Sequence, residues 1–218
     1  CVVAMPPFSL KNWGSEQFSS DIYGRNIWGC PTDSNGDFAW LQHMVKSMNP
    51  KTGRCAVVLP QGVLFRSGKE GEIRKQLVES DKLEAIITMA SGVFYSTGVS
   101  ACILFLNNNK AVSHRGRICM IDGSSIYTPQ RAQNIMTEAD IQTVFDYYTT
   151  YEDVIEKVKI VTIADIREKD YSLAINNYIE KKEQETVPPE EIRRQYFEAY
   201  DEMIEAETRM RELLLKGG

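Results

Sequence analysis

Val2-Val3-Ala4-Met5-Pro6-Pro7-Phe8 is a short apolar strand that runs straight into two prolines and an aromatic ring. Proline has no N–H to donate and holds φ at about −65°, so the strand must end at Pro6 and turn stiffly with Phe8 at its tip. In α/β sheets the carboxyl ends of strands are where ligands bind. A strand that ends this way is therefore a candidate site, and what lies beyond it decides the fold.

Outward from this turn the chain alternates helix and strand. Asp37 stands where it can cap a helix in which Phe38, Leu41, Val45 and Met48 recur at three- and four-residue steps, ended by Asn49-Pro50-Lys51-Thr52-Gly53. Arg54-Cys55-Ala56-Val57-Val58-Leu59-Pro60 is a continuous apolar run suited to a central strand covered on both faces, and it too stops at a proline. Gln61 to Gly68 reads as a loop, Lys69 to Ser80 as a helix with Ile73 and Leu77 inward, and Leu83 to Met89 as the next strand. Ser91 to Gly98 is a glycine-bracketed connector to a strand from Val99 to Leu106, which ends at Asn107-Asn108-Asn109-Lys110. That connector has no room for a crossover helix of about a dozen residues, so these two strands should be antiparallel neighbours. Beyond Lys110, Arg117 to Asp122 reads as a short strand and Thr137 to Thr149 as a helix with Ile141, Val144, Phe145 and Tyr148 on one side. Ile160 to Ile166 then leads into Asp170-Tyr171-Ser172-Leu173.

The stretch from Ser9 to Gly36 has no helical or strand period and carries Trp13, Phe18, Tyr23 and Trp28. Long irregular connections are usually functional or disordered. Such aromatics can stack a nucleobase, but pinning the loop onto its own core is the commoner use. His43 lies off the apolar stripe of its helix and reads as solvent-facing, and His114 sits in the basic turn His114-Arg115-Gly116-Arg117, solvated or touching phosphate. No Ser-His-Asp, Cys-His or metal-spaced cluster is present in the sequence, and no metal is called for.

Composition bounds the class. The 218 residues are 43% hydrophobic, enough for a core of ordinary size. No apolar run approaches the roughly 18 residues of a membrane span, and no signal peptide is recognisable. Cys1, Cys30, Cys55, Cys102 and Cys119 show no paired spacing, and three lie within apolar runs, as reduced thiols of a cytoplasmic protein would. Residues 1–150 carry 14 Lys and Arg against 13 Asp and Glu, whereas residues 151–218 carry 11 against 17. The chain is therefore no uniform coat for DNA, and its acidic part should face protein or water. It begins at Cys1 within a strand-like run, which reads as a piece of something longer.

The order of strand with Pro-Pro-Phe, helix, strand, helix, strand and hairpin strand resembles the second half of the adenosylmethionine-dependent methyltransferase (Rossmann-like) fold, whose seven-stranded sheet ends in one reversed strand. Met5-Pro6-Pro7-Phe8 resembles the Asn-Pro-Pro-Phe motif of DNA amino-methyltransferases, with Met5 where that family has Asn. Phe38-Ala39-Trp40-Leu41-Gln42-His43, Gly53 through Leu59-Pro60-Gln61-Gly62-Val63-Leu64-Phe65, Gly92 through Phe105, and Asp170-Tyr171-Ser172-Leu173 are similar to the modification subunit of type I restriction-modification systems. Those subunits are adenine-N6 DNA methyltransferases that work with a specificity subunit. The resemblance implies three parts: 1–110, the C-terminal half of a catalytic domain; 111–186, an α/β extension and linker; and 187–218, a long coiled-coil-like helix.

It also implies a site. In the family the Asn carbonyl and the backbone carbonyl of the first proline accept the two hydrogens of the adenine amino group, while the Phe ring stacks on the extruded base. By resemblance the catalytic positions are Met5, Pro6, Pro7 and Phe8, with Pro6 the backbone acceptor and Phe8 the stacking ring. Met5 has only a thioether, a weak acceptor, so half of the accepting pair is missing. S-adenosylmethionine belongs on a glycine-rich turn after a first strand. No Gly-x-Gly follows a strand here, and the glycines at 68 and 71 read as turn residues. The cofactor-binding residues are thus expected upstream of Cys1, and the chain alone should not hold the cofactor. Implied partners are DNA, a specificity subunit and a restriction subunit, with no membrane. The alternative is a non-catalytic, truncated or decayed module that keeps the contact with a specificity subunit.

Pro188-Pro189 marks the start of a final helix. Ile192, Tyr196, Ala199, Met203, Ala206, Met210 and Leu213 recur in it at alternating steps of four and three, the pattern of a coiled-coil seam. An amphipathic helix folded back on its own domain has the same pattern, but a rod of roughly 40 Å is long for so small a core. The resemblance implies that helix 189–216 docks on the specificity subunit. Left alone, the seam and the Val2-Val3 edge should make the chain self-associate.

Overall fold

The Val2-Val3-Ala4 run forms the edge of a six-stranded sheet in the computed structural model, which describes residues 1–94, 98–131, 133–180 and 188–216. The connector from Ser91 to Gly98 lies partly outside those residues, and the polar linker from Lys181 to Thr186 wholly so. In chain order the elements are β1 (Val2–Ala4), α1 (Ser15–Ser19), α2 (Asp37–Ser47), β2 (Arg54–Pro60), α3 (Lys69–Glu79), β3 (Leu83–Met89) and β4 (Ala101–Asn107). There follow β5 (Arg117–Gly123), α4 (Glu138–Thr150), β6 (Val158–Thr162), α5 (Ile163–Glu168) and α6 (Pro189–Lys216). Two compact units result, Cys1–Lys181 and Lys182–Gly218.

Strand order is β1-β2-β4-β3-β5-β6. β1 pairs parallel with β2, and β3 parallel with β5. β4 is inserted antiparallel between β2 and β3, as the short connector requires. β1, β2, β3 and β5 therefore run the same way, and their carboxyl ends share one edge of the sheet. The sheet continues past residue 110 through β5 and β6 without a break.

The two faces of the sheet are covered by different partners. On one, Phe38, Leu41 and Val45 of α2 and Ile73 and Leu77 of α3 pack with Val57, Leu59 and Leu104 in the main core. On the other, α4 packs Val144 with Ala85, Ile87 and Ile121. A groove of about 250 Å³ runs beside it, lined only by apolar and aromatic residues including Phe105, Ile141 and Phe145. Ile141 and Phe145 share that side of α4 with Val144 and Tyr148, but each is more than half exposed. The helix rests on the sheet through Val144 and Tyr148, and its apolar stripe is wider than the area it covers.

Two further local readings change. Asp37 is not the cap of α2: Gly36 holds that position, and the Asp37 carboxylate is spent on other partners. Within the stretch read as aperiodic, Ser15–Ser19 makes a five-residue helix that buries Phe18. Cys55, Cys102 and Cys119 are buried and Cys1 is exposed, all as free thiols. In the second unit, α6 starts at Pro189 and leaves Ile192, Tyr196, Met203, Met210 and Leu213 exposed. Among the described residues no helix is long and apolar enough to cross a membrane.

Candidate active site

β1 ends at Ala4, where Pro6 removes the N–H that would continue the ladder. Met5 is 51% exposed, Pro6 is buried, Pro7 is exposed and Phe8 is half-buried. None of these four side chains ionises near neutral pH, so the turn can stack and accept hydrogen bonds but cannot move a proton. It lies on the edge where Pro60, Met89 and Gly123 end their strands, the position expected of a binding site in a parallel sheet.

Ser9, next to the ring, takes a left-handed backbone with φ of 49°. A serine resists that conformation unless its surroundings enforce it. Here the Ser9 N–H donates to Asp37 Oδ1 at 2.7 Å, and the Arg66 guanidinium donates to Asp37 Oδ2 at 2.9 Å. Arg66 also donates to Glu70 Oε2 at 3.2 Å and to Ser9 Oγ at 3.2 Å. The Asp37 side chain is fully buried, so its charge is tolerable only because these donors surround it. Burial pushes the Glu70 pKa up against the pull of Arg66. Burial also acts to lower the Arg66 pKa, but the bond to Asp37 and the charge of Glu70 outweigh it, and the net shift is upward.

The aromatics of the Ser9 to Gly36 stretch mostly pin it in place. Trp13 donates its indole N–H to Thr32 O at 2.9 Å and meets Phe18 edge to face at 5.4 Å. Gly36 lies under the Trp13 ring, where a Cβ would come within 2.9 Å of it. Trp28 packs against the main core, and its backbone N–H donates to Gln42 Oε1 at 2.7 Å. Only Tyr23 of the four stands well exposed.

A second concavity opens on the same edge. A cavity of about 330 Å³ is lined by Gln61 and Phe65 after β2, Thr88, Ser91 and Ser100 around the β3–β4 connection, and Asp122 and Ser124 at the end of β5. Asp122 is buried and accepts from Thr88 Oγ1 at 3.2 Å and from the Ser124 N–H at 3.0 Å. No Gly-x-Gly turn follows β2, β3 or β5. The residues on this edge therefore do not fit a glycine-rich cofactor turn.

The histidines stand apart from the site. His43 is exposed, as its place off the stripe implied. His114 is only partly exposed: it stacks on Tyr151 at 3.6 Å, with Nδ1 3.3 Å from Glu84 Oε1. Its basic neighbours in sequence gave no sign of an acid 30 residues away. Among the described residues, no group of three or more His, Cys, Asp and Glu side chains could hold a metal. Sequence reasoning missed the roles of Arg66 and Ser9, whose bonds to Asp37 and to each other span 28 to 57 residues.

Four parallel strands with the reversed hairpin strand β4 among them and a second reversed strand, β6, at the far edge, together with a Pro-Pro-aromatic turn where β1 ends, match the second half of a methyltransferase-type sheet extended by β5 and β6. The N-6 DNA methylase family matches residues 1–187, and the chain belongs to it. Among its relatives, the methylase subunit of the type I restriction enzyme MjaVII of Methanocaldococcus jannaschii is 32% identical over 93% of this chain and 37% of its own length. That of the HindI enzyme of Haemophilus influenzae is 33% identical over 84% of this chain and 42% of its own. The solved methyltransferase subunit of a type I restriction-modification system from Streptococcus thermophilus superposes with a TM-score of 0.75. It is 31% identical and covers 82% of this chain and 38% of its own. The chain thus spans about two fifths of the relatives it matches.

Proposed function

We propose that these 218 residues are the target-base half of a type I restriction-modification subunit that methylates adenine N6 in DNA. The carrying observation is the Met5-Pro6-Pro7-Phe8 turn, clamped through Ser9 at the carboxyl end of a parallel strand. In this reading Phe8 stacks on the extruded adenine and the Pro6 carbonyl accepts one hydrogen of its amino group. Accepting that hydrogen draws the nitrogen lone pair out of the ring as the reaction proceeds, which is stabilisation specific to the transition state. S-adenosylmethionine supplies an electrophilic methyl group, and its site belongs to sequence outside these residues.

Met5 favours a second reading, a non-catalytic assembly module. Its thioether is a weak acceptor where the related motif has a carboxamide. The discriminating experiment joins this chain to the remaining length of its relatives and measures single-turnover methylation. Met5→Asn should raise the rate about a hundred- to a thousandfold, the usual worth of one hydrogen bond to developing charge. Equal rates for the two versions would remove position 5 from the chemistry.

We further propose that α6 is a protein-docking helix for a specificity subunit, on the strength of its exposed heptad stripe. Deleting residues 188–218 should abolish co-purification with that subunit and shift the isolated chain toward monomer in light scattering. An oligomer unchanged by the deletion would point instead to the β1 edge.

A further inference from the structure

Two arginines bring together three stretches that are far apart in sequence: Met5 to Ser9, Gln61 to Phe65, and Asp170 to Leu173. Arg74, on α3, is almost wholly buried. Its Nε donates to Tyr171 O at 2.7 Å, and its Nη1 donates to Arg66 O at 2.6 Å and to Val63 O at 3.3 Å. Arg66 in turn holds Asp37 at 2.9 Å and Ser9 Oγ at 3.2 Å, and Asp37 holds the Ser9 N–H at 2.7 Å. A parallel strut runs from the Leu173 N–H to Leu64 O at 2.7 Å. An unbroken path thus leads from Tyr171 through Arg74, Arg66 and Asp37 to the residue beside Phe8.

The ends of this path are the parts of the backbone that need holding. Ser9, Asp170 and Tyr171 are all left-handed, with φ of 49°, 50° and 55°. Its middle depends on close fit. A Cβ on Gly62 would lie 2.5 Å from Arg66 Nε, so only glycine lets the guanidinium pass there. The planar guanidinium spreads its donors over separate nitrogens, Nη1 and Nη2 in Arg66 and Nε and Nη1 in Arg74, and the single ammonium nitrogen of lysine cannot occupy both positions, so lysine at either place would drop contacts. The hydrogen bonds of Arg74 to Tyr171, Val63 and Arg66 all go to backbone carbonyls, which fixes where those segments lie.

We propose that Arg66 and Arg74 are positioning residues that set the Phe8 turn, so that the Asp170–Leu173 segment acts on Phe8 through them. The functional weight of this relay rests on the reading of Phe8 as the base-stacking ring. The relay itself is a statement about the turn and is tested without DNA or S-adenosylmethionine. 4-Fluorophenylalanine is placed at position 8 of the full chain, and its ¹⁹F resonance is followed together with hydrogen exchange at the Ser9 amide. In Arg66→Lys, Gly62→Ala and Arg74→Lys the resonance should move or broaden and Ser9 exchange should rise at least tenfold. Gly98→Ala, whose Cβ meets nothing within 4 Å among the described residues, should leave both unchanged. Where Arg74→Lys does not fold, Arg74→Gln carries the same expectation. A response in Arg66→Lys with none in the folded Arg74 variant would overturn the relay, as would no response in any. A change at Phe8 supports the relay even where a methylation assay denies the ring its stacking role.

Discussion

Both edges of the parallel strands carry buried charge beside a cavity, about 220 Å³ at the amino edge and about 330 Å³ at the carboxyl edge, but the Met5-Pro6-Pro7-Phe8 turn stands open at the carboxyl edge alone. At the amino edge Glu84 accepts from Asn107 Nδ2 at 3.0 Å and from Tyr148 OH at 2.8 Å, with His114 Nδ1 at 3.3 Å. Beside it the Lys110 ammonium gives its three hydrogens to Asp81 Oδ1, Leu83 O and Arg117 O at 2.7, 3.1 and 2.7 Å. The stacked rings of His114 and Tyr151 pack beside this cluster, and burial, reinforced by Glu84, pushes the Tyr148 pKa well up. At the carboxyl edge Asp37 is equally buried and equally served, yet next to its cluster lie a half-exposed Phe8, an exposed Met5 and a polar cavity. A buried ion network is therefore no mark of function in itself. What sets the candidate site apart is a network that ends on Ser9, beside the partly exposed Met5-Pro6-Pro7-Phe8 turn, and the contrast can be tested from both sides.

The largest effect should come from the amino edge. Lys110→Met keeps the length of the side chain but withdraws three hydrogens, one from the partly exposed Asp81 carboxylate and two from backbone carbonyls; breaking a fully buried pair typically costs about 3–5 kcal/mol, and the exposure of Asp81 discounts that. Asp81 keeps the Gly116 N–H at 3.0 Å and Arg117 O keeps Tyr151 OH at 3.2 Å, so the lower end of that range is expected. Urea unfolding measures it. A loss under about 1 kcal/mol would mean that the amino edge is as tolerant as an exposed ion pair. At the carboxyl edge the balance should reverse. Phe8→Ala removes a ring that is only half-buried, so stability should fall by less than about 2 kcal/mol, well short of a core Phe truncation. Methylation by the longer subunit should fall much further in proportion. A stability loss rivalling that of Lys110→Met would make Phe8 a core residue and undo the contrast.

Much of the sheet was legible because its signals are local. The apolar runs 54–60 and 83–89, the proline stops and the short connector before β4 each constrain a few neighbouring residues, and β2, β3 and the antiparallel β4 follow from them. The candidate site was legible only as a turn. Asp37 before an apolar-periodic helix carries the same local signal whether it caps that helix or turns away to hold Ser9, and only the folded chain distinguishes the two. Arg74 and Tyr171 meet across 97 residues, and His114 and Glu84 across 30, separations at which a single sequence holds no pairing information. The apolar stripe of α4 was visible, but its coverage depends on how far the sheet extends beneath it.

The smallest effect should come from charge paired in the open, the limit against which both edges are measured. Glu79, at the end of α3, accepts from Arg167 Nε and Nη2 at 2.7 and 2.6 Å and from Tyr171 OH at 2.7 Å. Chiefly the Arg167 hydrogen bonds, with that of Tyr171, hold its carboxyl pKa down to about 2 from an ordinary 4.5. A carboxylate whose pKa is lower in the folded chain contributes stability that is fully present above the unfolded value and is lost as pH falls through the folded one. Wild type should therefore exceed Glu79→Gln in melting temperature by a constant small amount above about pH 5, and that gap should close between pH 4.5 and pH 2. Water screens the pair, so the gap should stay well below the loss caused by Lys110→Met. Because Tyr171 also receives Arg74 through its carbonyl, the same variant should leave the Ser9 amide protected at neutral pH. Exposure of Ser9 in Glu79→Gln would mean that Tyr171 is placed by its hydroxyl rather than by its backbone, and that the carboxyl edge begins at the surface ion pair.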